Sequence, residues 1–133
     1  EKIRRAAGGS VSGKVVAVWG LTFKAGTDDL RDSPSLQIIH RLLHLGATIQ
    51  AFDPTVTSHR IGLSQEIQIT DSALACTRDA EVLVVLTEWS EFTKINPSEV
   101  RAVMSGRTIV DGRNLLDRST WQEAGFTHLG IGR

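Results

Sequence analysis

Between Gly20 and Ser35 the chain reads Gly-Leu-Thr-Phe-Lys-Ala-Gly-Thr-Asp-Asp-Leu-Arg-Asp-Ser-Pro-Ser, which places two glycines, Lys24, Arg31 and a Ser-Pro helix start in one short segment. Glycine lets backbone approach an anion closely, and an ammonium and a guanidinium on either side of Gly26 can neutralise it, so the segment reads as a phosphate cradle. Three further polar clusters carry related chemistry: Asp53, Thr87-Glu88-Trp89, and Asp111 to Asn114. Arg113, directly behind Gly112, presents a forked donor suited to a phosphate or a sugar hydroxyl. Phe23 and Trp89 offer rings on which a base could stack. A phosphate-bearing nucleotide fits this set of groups better than an apolar metabolite does.

The elements that would position these groups are legible from periodicity. Lys14 to Trp19 and Val82 to Thr87 are continuous apolar runs, as expected for parallel strands buried on both faces. Ala47 to Phe52, Glu66 to Thr70, Arg107 to Asp111 and Phe126 to Ile131 complete a set of short strands. Between them lie helical stretches: Leu36 to Leu45, ended by Gly46; Asp71 to about Asp79; Trp89 to Lys94; Pro97 to Met104; and a last helix opened by Ser119 or Thr120 and ended by Gly125. Strands alternating with helices predict right-handed crossovers and an α/β fold, a doubly wound, mostly parallel, Rossmann-like sheet in a single domain. Each polar cluster directly follows a strand. In a parallel sheet all of them therefore converge on the carboxyl edge, where ligands bind at the switch in strand order.

Each motif also has a plainer structural reading. The glycine loop lacks the third glycine of a dinucleotide fingerprint, and Gly26 is followed by Thr27 instead of the Lys-Ser/Thr of a P-loop, so it can equally be a turn. Lys24 and Arg31 can be solvated charges, although their place at a strand end favours a ligand. Asp28 to Asp32 superficially offers a magnesium-binding aspartate pattern, but Arg31 would sit among the ligands. Orientation of Lys24 or Arg31 by Asp28 or Asp29, with Asp32 or Ser33 capping the helix, is the better reading. Asp53 stands where a dinucleotide fold holds ribose hydroxyls, yet without the fingerprint an Asp-Pro turn is favoured. Arg113 is open between a ligand contact and an ion pair with Asp111 or Asp117. His40 and His44 share a polar helix stripe with Gln37 and Arg41, a solvated face with no third metal ligand. Cys76, among Ala73, Leu74 and Ala75, reads as a buried inert thiol.

Composition narrows the classes. The 133 residues are 41% hydrophobic, enough for one domain with a sizeable core, and 15 basic side chains balance 15 acidic ones. That balance argues against a duplex nucleic-acid binder. No apolar run is long enough to span a bilayer and no basic-then-apolar leader precedes the first strand, so no membrane partner is expected. The single Cys76 has no internal partner for a disulfide, which fits a reducing, cytoplasmic setting. The chain opens on Glu1, and residues 1–12 are polar and basic, which suggests the tail of an upstream linker in a longer protein, with the domain proper at 13–133.

At this point the residues resemble a known family. The run from Val18 to Ser35, then Phe-Asp-Pro at 52–54, Leu-Thr-Glu-Trp-Ser-Glu-Phe at 86–92, Val-Asp-Gly-Arg-Asn at 110–114 and the terminal Gly-Ile-Gly-Arg are similar to the C-terminal domain of nucleotide-sugar dehydrogenases, the UDP-glucose/GDP-mannose dehydrogenase family. The resemblance covers about Gly13 to Arg133. It implies an enzyme with an upstream NAD-binding domain, a central helical dimerisation segment that makes the intact enzyme a homo-oligomer, and this domain completing a UDP-sugar site. The implied reaction takes a sugar C6 hydroxyl to a carboxylate in two NAD-dependent steps, through a thioester on a cysteine upstream of this chain. Cys76 is therefore not carried over, and the fragment alone should catalyse nothing. By the same resemblance Phe23, Lys24 and Arg113 meet the nucleotide sugar and Arg31 reaches NAD across a cleft. Thr-Glu-Trp and Asp-Gly-Arg-Asn lean toward UDP-glucose, with GDP-mannose and UDP-N-acetylmannosamine as alternatives. A non-catalytic nucleotide-binding module is the reading from another class.

Overall fold

The structure, a computed structural model, describes residues 3, 5, 7–22, 33–56 and 66–130. The elements, in chain order, are β1 (Val15–Trp19), α1 (Pro34–His44), β2 (Thr48–Phe52), β3 (Ile67–Ile69), α2 (Ala73–Cys76), β4 (Val82–Val85), a 3-10 turn (Ser90–Lys94), α3 (Pro97–Val103), β5 (Thr108–Asp111), α4 (Arg118–Glu123) and β6 (Thr127–Gly130). Among the described residues the six strands form one sheet in the order β3-β2-β1-β4-β5-β6. Every strand pairing is parallel, so the mostly parallel sheet expected from the sequence is parallel throughout its described strands. This is the doubly wound, Rossmann-like arrangement, and its order reverses between β1 and β4.

Strand periodicity divides the core into two. Val16 and Val18 of β1, Ile49 and Ala51 of β2, and Val82 and Val84 of β4 pack with Ile39 and Leu42 of α1 on one face. Ala17 and Trp19, Leu83 and Val85, and Ile109 face the other side, against Phe92, Val100, Trp121 and Phe126. The two apolar runs are thus buried on both faces because each successive side chain feeds a different layer. Trp19 anchors the second layer: its ring stacks on Phe92 at a centroid distance of 5.1 Å and meets Trp121 edge-on at 6.0 Å. Its indole N–H donates to the Ala73 carbonyl at 3.0 Å, which satisfies the one polar atom of the ring. Such aromatic pairs add about 0.5–1.5 kcal/mol each beyond their buried area.

Helix α1 presents Ile39 and Leu42 to the sheet and leaves His40, Arg41 and His44 exposed, so the two histidines lie on a solvated face. Gly46, at φ +96°, ends it in the expected left-handed cap. Ser72 caps α2 by accepting the Ala75 amide at 3.0 Å, but α2 stops at Cys76, short of the expected Asp79, which itself takes φ +60°. Helix α4 starts at Arg118, ahead of the expected Ser119 or Thr120, because the Asp117 carboxylate accepts the Thr120 amide and takes the cap. Ahead of β1, Ala7 and Val11 are buried in the first core layer.

The sheet is closed tightly at the start of β4 and β5. The Gly106 amide donates to the Ala80 carbonyl at 3.0 Å, and a Cβ at Gly106 would lie only 1.9 Å from the Glu81 carbonyl oxygen. Because the opposing atom is backbone, no side-chain rotation relieves that contact. Gly106→Ala is expected to lower the unfolding free energy by about 3 kcal/mol, seen as a lower urea midpoint at unchanged m-value. An unchanged midpoint would show that the turn shifts without cost.

Candidate functional site at the carboxyl edge of the sheet

The register brings the strand exits level: Trp19 is opposite Phe52 and Val85, and Val85 is opposite Asp111. The residues that follow these positions build the edge. Directly after β1, Gly20 has φ +106° and donates its amide to the Phe52 carbonyl at 2.8 Å. A Cβ there would stand 2.5 Å from both Cβ and Oγ1 of Thr87, so only glycine lets the β1 exit pass this close to the β4 exit. Thr87 uses that proximity, donating its hydroxyl to the Thr22 carbonyl at 3.0 Å.

Asp53, one residue past β2, is fully buried and organises the same place. Its Oδ2 accepts the Leu21 amide at 2.8 Å, the Thr22 amide at 3.1 Å, the Thr22 hydroxyl at 3.2 Å and the Trp89 indole N–H at 3.3 Å. Its Oδ1 accepts the Thr55 amide at 2.9 Å and the Thr55 hydroxyl at 2.7 Å. The Asp-Pro turn favoured from the sequence is present in the Thr55 bonds, and the carboxylate also reaches across the sheet. Ser33, at the N-cap position of α1, makes no side-chain cap bond; its hydroxyl donates to the Leu21 carbonyl at 2.8 Å. That bond joins the exit of β1 to the start of α1. Phe23, Lys24 and Arg31, with Asp28, Asp29 and Asp32, lie outside the described residues.

Arg113 stands at the exit of β5 on the same edge. Its Nε donates to the Leu86 carbonyl at 2.9 Å and lies 3.4 Å from Glu88 Oε2, both on the segment leaving β4. Glu88 is thus an acidic neighbour of the guanidinium from the exit of the adjacent strand. Asp111 acts on the Arg113 backbone, accepting its amide on Oδ1 at 3.1 Å, while Asp111 Oδ2 accepts the Leu116 amide at 2.7 Å and lies 3.2 Å from His128 Nε2. Asp111 and His128 are both buried. The side chain of Arg113 remains about a third exposed, so its guanidinium borders solvent at the edge. Trp89 is half-buried beside Asp53.

The sequence offered Ser33 as a helix cap and Thr87 and Asp111 as members of polar clusters, without the bonds they make here, and did not mark His128. The signal available was a polar residue at the end of an apolar strand, which marks Thr87 and Asp111 but not Ser33 or His128. Among the described residues no three His, Cys, Asp or Glu side chains come together as a metal site. No helix of the described residues is long and apolar enough to cross a membrane.

Comparison with known proteins decides the family. The UDP-glucose/GDP-mannose dehydrogenase family, UDP binding domain, matches residues 17–118. The chain belongs to this family. The UDP-glucose 6-dehydrogenase of Rickettsia conorii is 36% identical over 99% of this chain and 31% of its own length. That of Pseudomonas aeruginosa is 38% identical over 94% of this chain and 29% of its own length. Among solved structures, an NDP-N-acetyl-D-galactosaminuronic acid dehydrogenase from Methanosarcina mazei superposes with a TM-score of 0.81 at 29% identity, covering 99% of this chain and 27% of that one. The chain therefore spans about three tenths of the length of the curated relatives it matches. Membership brings the strand-edge clusters under one family domain, with Arg113 and Trp89 both inside the matched stretch.

Cys76 lies away from any of this chemistry. Its thiol donates to the Gln50 carbonyl at 3.2 Å and the Val18 carbonyl at 3.4 Å, and burial pushes its pKa from 9.0 up to about 12. The thiolate is then absent at neutral pH, and the side chain is inert as expected. Because the unfolded thiol releases its proton first, the Cys76 contribution to stability is constant below pH 9 and declines as pH rises from there toward 12. A thiol reagent at pH 8 is expected to leave Cys76 unmodified in the native protein and to label it fully in denaturant. Stoichiometric native labelling, read by mass spectrometry, would show that the thiol is accessible.

Proposed function

We propose that residues 13–133 are the C-terminal nucleotide-sugar domain of an NAD-dependent UDP-glucose 6-dehydrogenase, following residues 1–12 as the end of an upstream linker that packs Ala7 and Val11 into the core, and that UDP-glucose binds at the carboxyl edge described above. In this reading Arg113 contacts the diphosphate or sugar, and Phe23 and Lys24 meet the same ligand from the segment after Thr22. The observation that carries it is the convergence of Gly20, Trp89 and Arg113 at the strand exits around the β1/β4 switch, in a chain of the UDP-binding family. The names of the relatives support glucose as the sugar and oxidation as the activity.

NAD supplies the hydride acceptor of such a reaction. Its natural seat in a doubly wound sheet is the first crossover, with an acidic residue after the second strand on the ribose hydroxyls. Here Asp53 occupies that position, fully buried and bonded on both oxygens from within the domain, so these residues do not fit a dinucleotide at this crossover. We therefore place NAD on an upstream domain, with Arg31 reaching it from this one, and assign this chain the binding and orientation of the nucleotide sugar. The catalytic cysteine is likewise placed upstream, the intact enzyme is a homo-oligomer, and the compartment is cytoplasmic, in keeping with the free, buried Cys76.

The test is steady-state kinetics of the intact enzyme with UDP-glucose, UDP-N-acetylmannosamine and GDP-mannose. UDP-glucose is expected to give the highest kcat/KM, and a preference for the guanine nucleotide would reject the assignment. Arg113→Ala is expected to raise KM for UDP-glucose roughly tenfold, from loss of a charge-assisted contact, with KM for NAD unchanged. The same change with both KM values unaltered would remove Arg113 from the site.

A further inference from the structure

We propose that Asp53 is a positioning residue for the nucleotide-sugar site: its buried carboxylate holds Leu21 and Thr22, at the exit of β1, together with the indole of Trp89 at the carboxyl edge. This deepens the reading above and rests on it for the identity of the ligand.

The two oxygens of Asp53 do different things. Oδ1 closes a local turn onto Thr55, two residues ahead, which any Asp-Pro turn could do. Oδ2 instead reaches residues 31 to 36 positions away, taking the amides of Leu21 and Thr22 and the Trp89 indole N–H. Those partners come from the exits of β1 and β4, the two strands that flank the switch in sheet order. Thr87 and Ser33 brace the same peptide units from other sides, through the Thr22 and Leu21 carbonyls. The amides and carbonyls of residues 21 and 22 are thereby all fixed at the edge.

The chemistry requires a carboxylate. Each oxygen faces only donors, so an amide in this place turns an NH2 toward N–H groups whichever way it flips. A buried carboxylate that accepts several N–H bonds is strongly held by them, and it in turn orients each donor. The Trp89 ring is oriented by the same atom, so the face it offers at the edge is coupled to the path of residues 21 and 22.

The experiment is Asp53→Asn in the intact enzyme, assayed with UDP-glucose and GDP-mannose and with NAD varied separately. For whichever nucleotide sugar the parent uses, KM is expected to rise roughly tenfold or more while KM for NAD is unchanged. Thr55→Val, which removes a bond on Oδ1 alone, is expected to leave both KM values within about twofold. Hydrogen exchange supplies a second readout that needs neither turnover nor the variant: in the parent, the Leu21 and Thr22 amides should exchange as slowly as those of β4. An unchanged nucleotide-sugar KM in a folded Asn variant, an equal rise in both KM values, or loop-like exchange at Leu21 and Thr22 overturns the role of Asp53. A parent that prefers GDP-mannose overturns the substrate assignment instead, and leaves the Asp53 comparison to be read on that substrate.

Discussion

A negative charge buried at the end of β2 organises the carboxyl edge of this domain. Removing a carboxylate from water costs several kcal/mol unless donors replace the lost hydration, and Asp53 is fully buried. The donors it recruits are backbone amides of Leu21 and Thr22 and side chains of Thr22, Thr55 and Trp89, so satisfying one charge joins the exits of β1, β2 and β4. Gly20 makes this possible, because any side chain there would hold the β1 exit away from Thr87. The glycine and the aspartate are thus two halves of one constraint: the first allows the close approach and the second fixes it.

The other half of the edge repeats the device. Asp111 ends β5 buried, and takes the amides of Arg113 and Leu116 with His128 of β6 alongside. The loop it shapes returns Arg113 across the sheet to the Leu86 carbonyl. Two buried aspartates therefore stand on either side of the β1/β4 switch, each organising the backbone next to it. The apolar layers below supply rigidity: Trp19, Phe92 and Trp121 lock one face, and α1 covers β1, β2 and β4 on the other. A ligand at the edge meets strand exits whose positions are already decided.

Much of the fold was legible in the sequence, for reasons tied to particular residues. Val15 to Trp19 and Val82 to Val85 are too apolar for a half-exposed strand, and α1 shows its buried stripe through Ile39 and Leu42. Element ends were less legible, because they depend on which side chain wins a cap: Asp117 took the α4 cap from Ser119 and Thr120, and Ser33 turned away from its cap to the Leu21 carbonyl. The site was legible only as a set of clusters after strands. Arg113 came out at the edge beside Glu88 and the Leu86 carbonyl, partners on the exit of the parallel neighbour β4 that local sequence does not reveal.

By itself the sequence determined the alternation of strands and helices, the two-sided burial of β1 and β4, and the convergence of the polar clusters on one edge. These follow from local periodicity and from the handedness of crossovers, which need no knowledge of partners. Only the tertiary structure decided what each polar group does there. Asp53 appeared in sequence as a turn residue, and its Thr55 bonds are a turn's. Its bonds to Leu21, Thr22 and Trp89 join positions 31 to 36 residues apart. Such contacts arise from the register that sets Trp19 against Phe52 and Val85, and register is a property of packed strands, fixed only when the core beneath them closes.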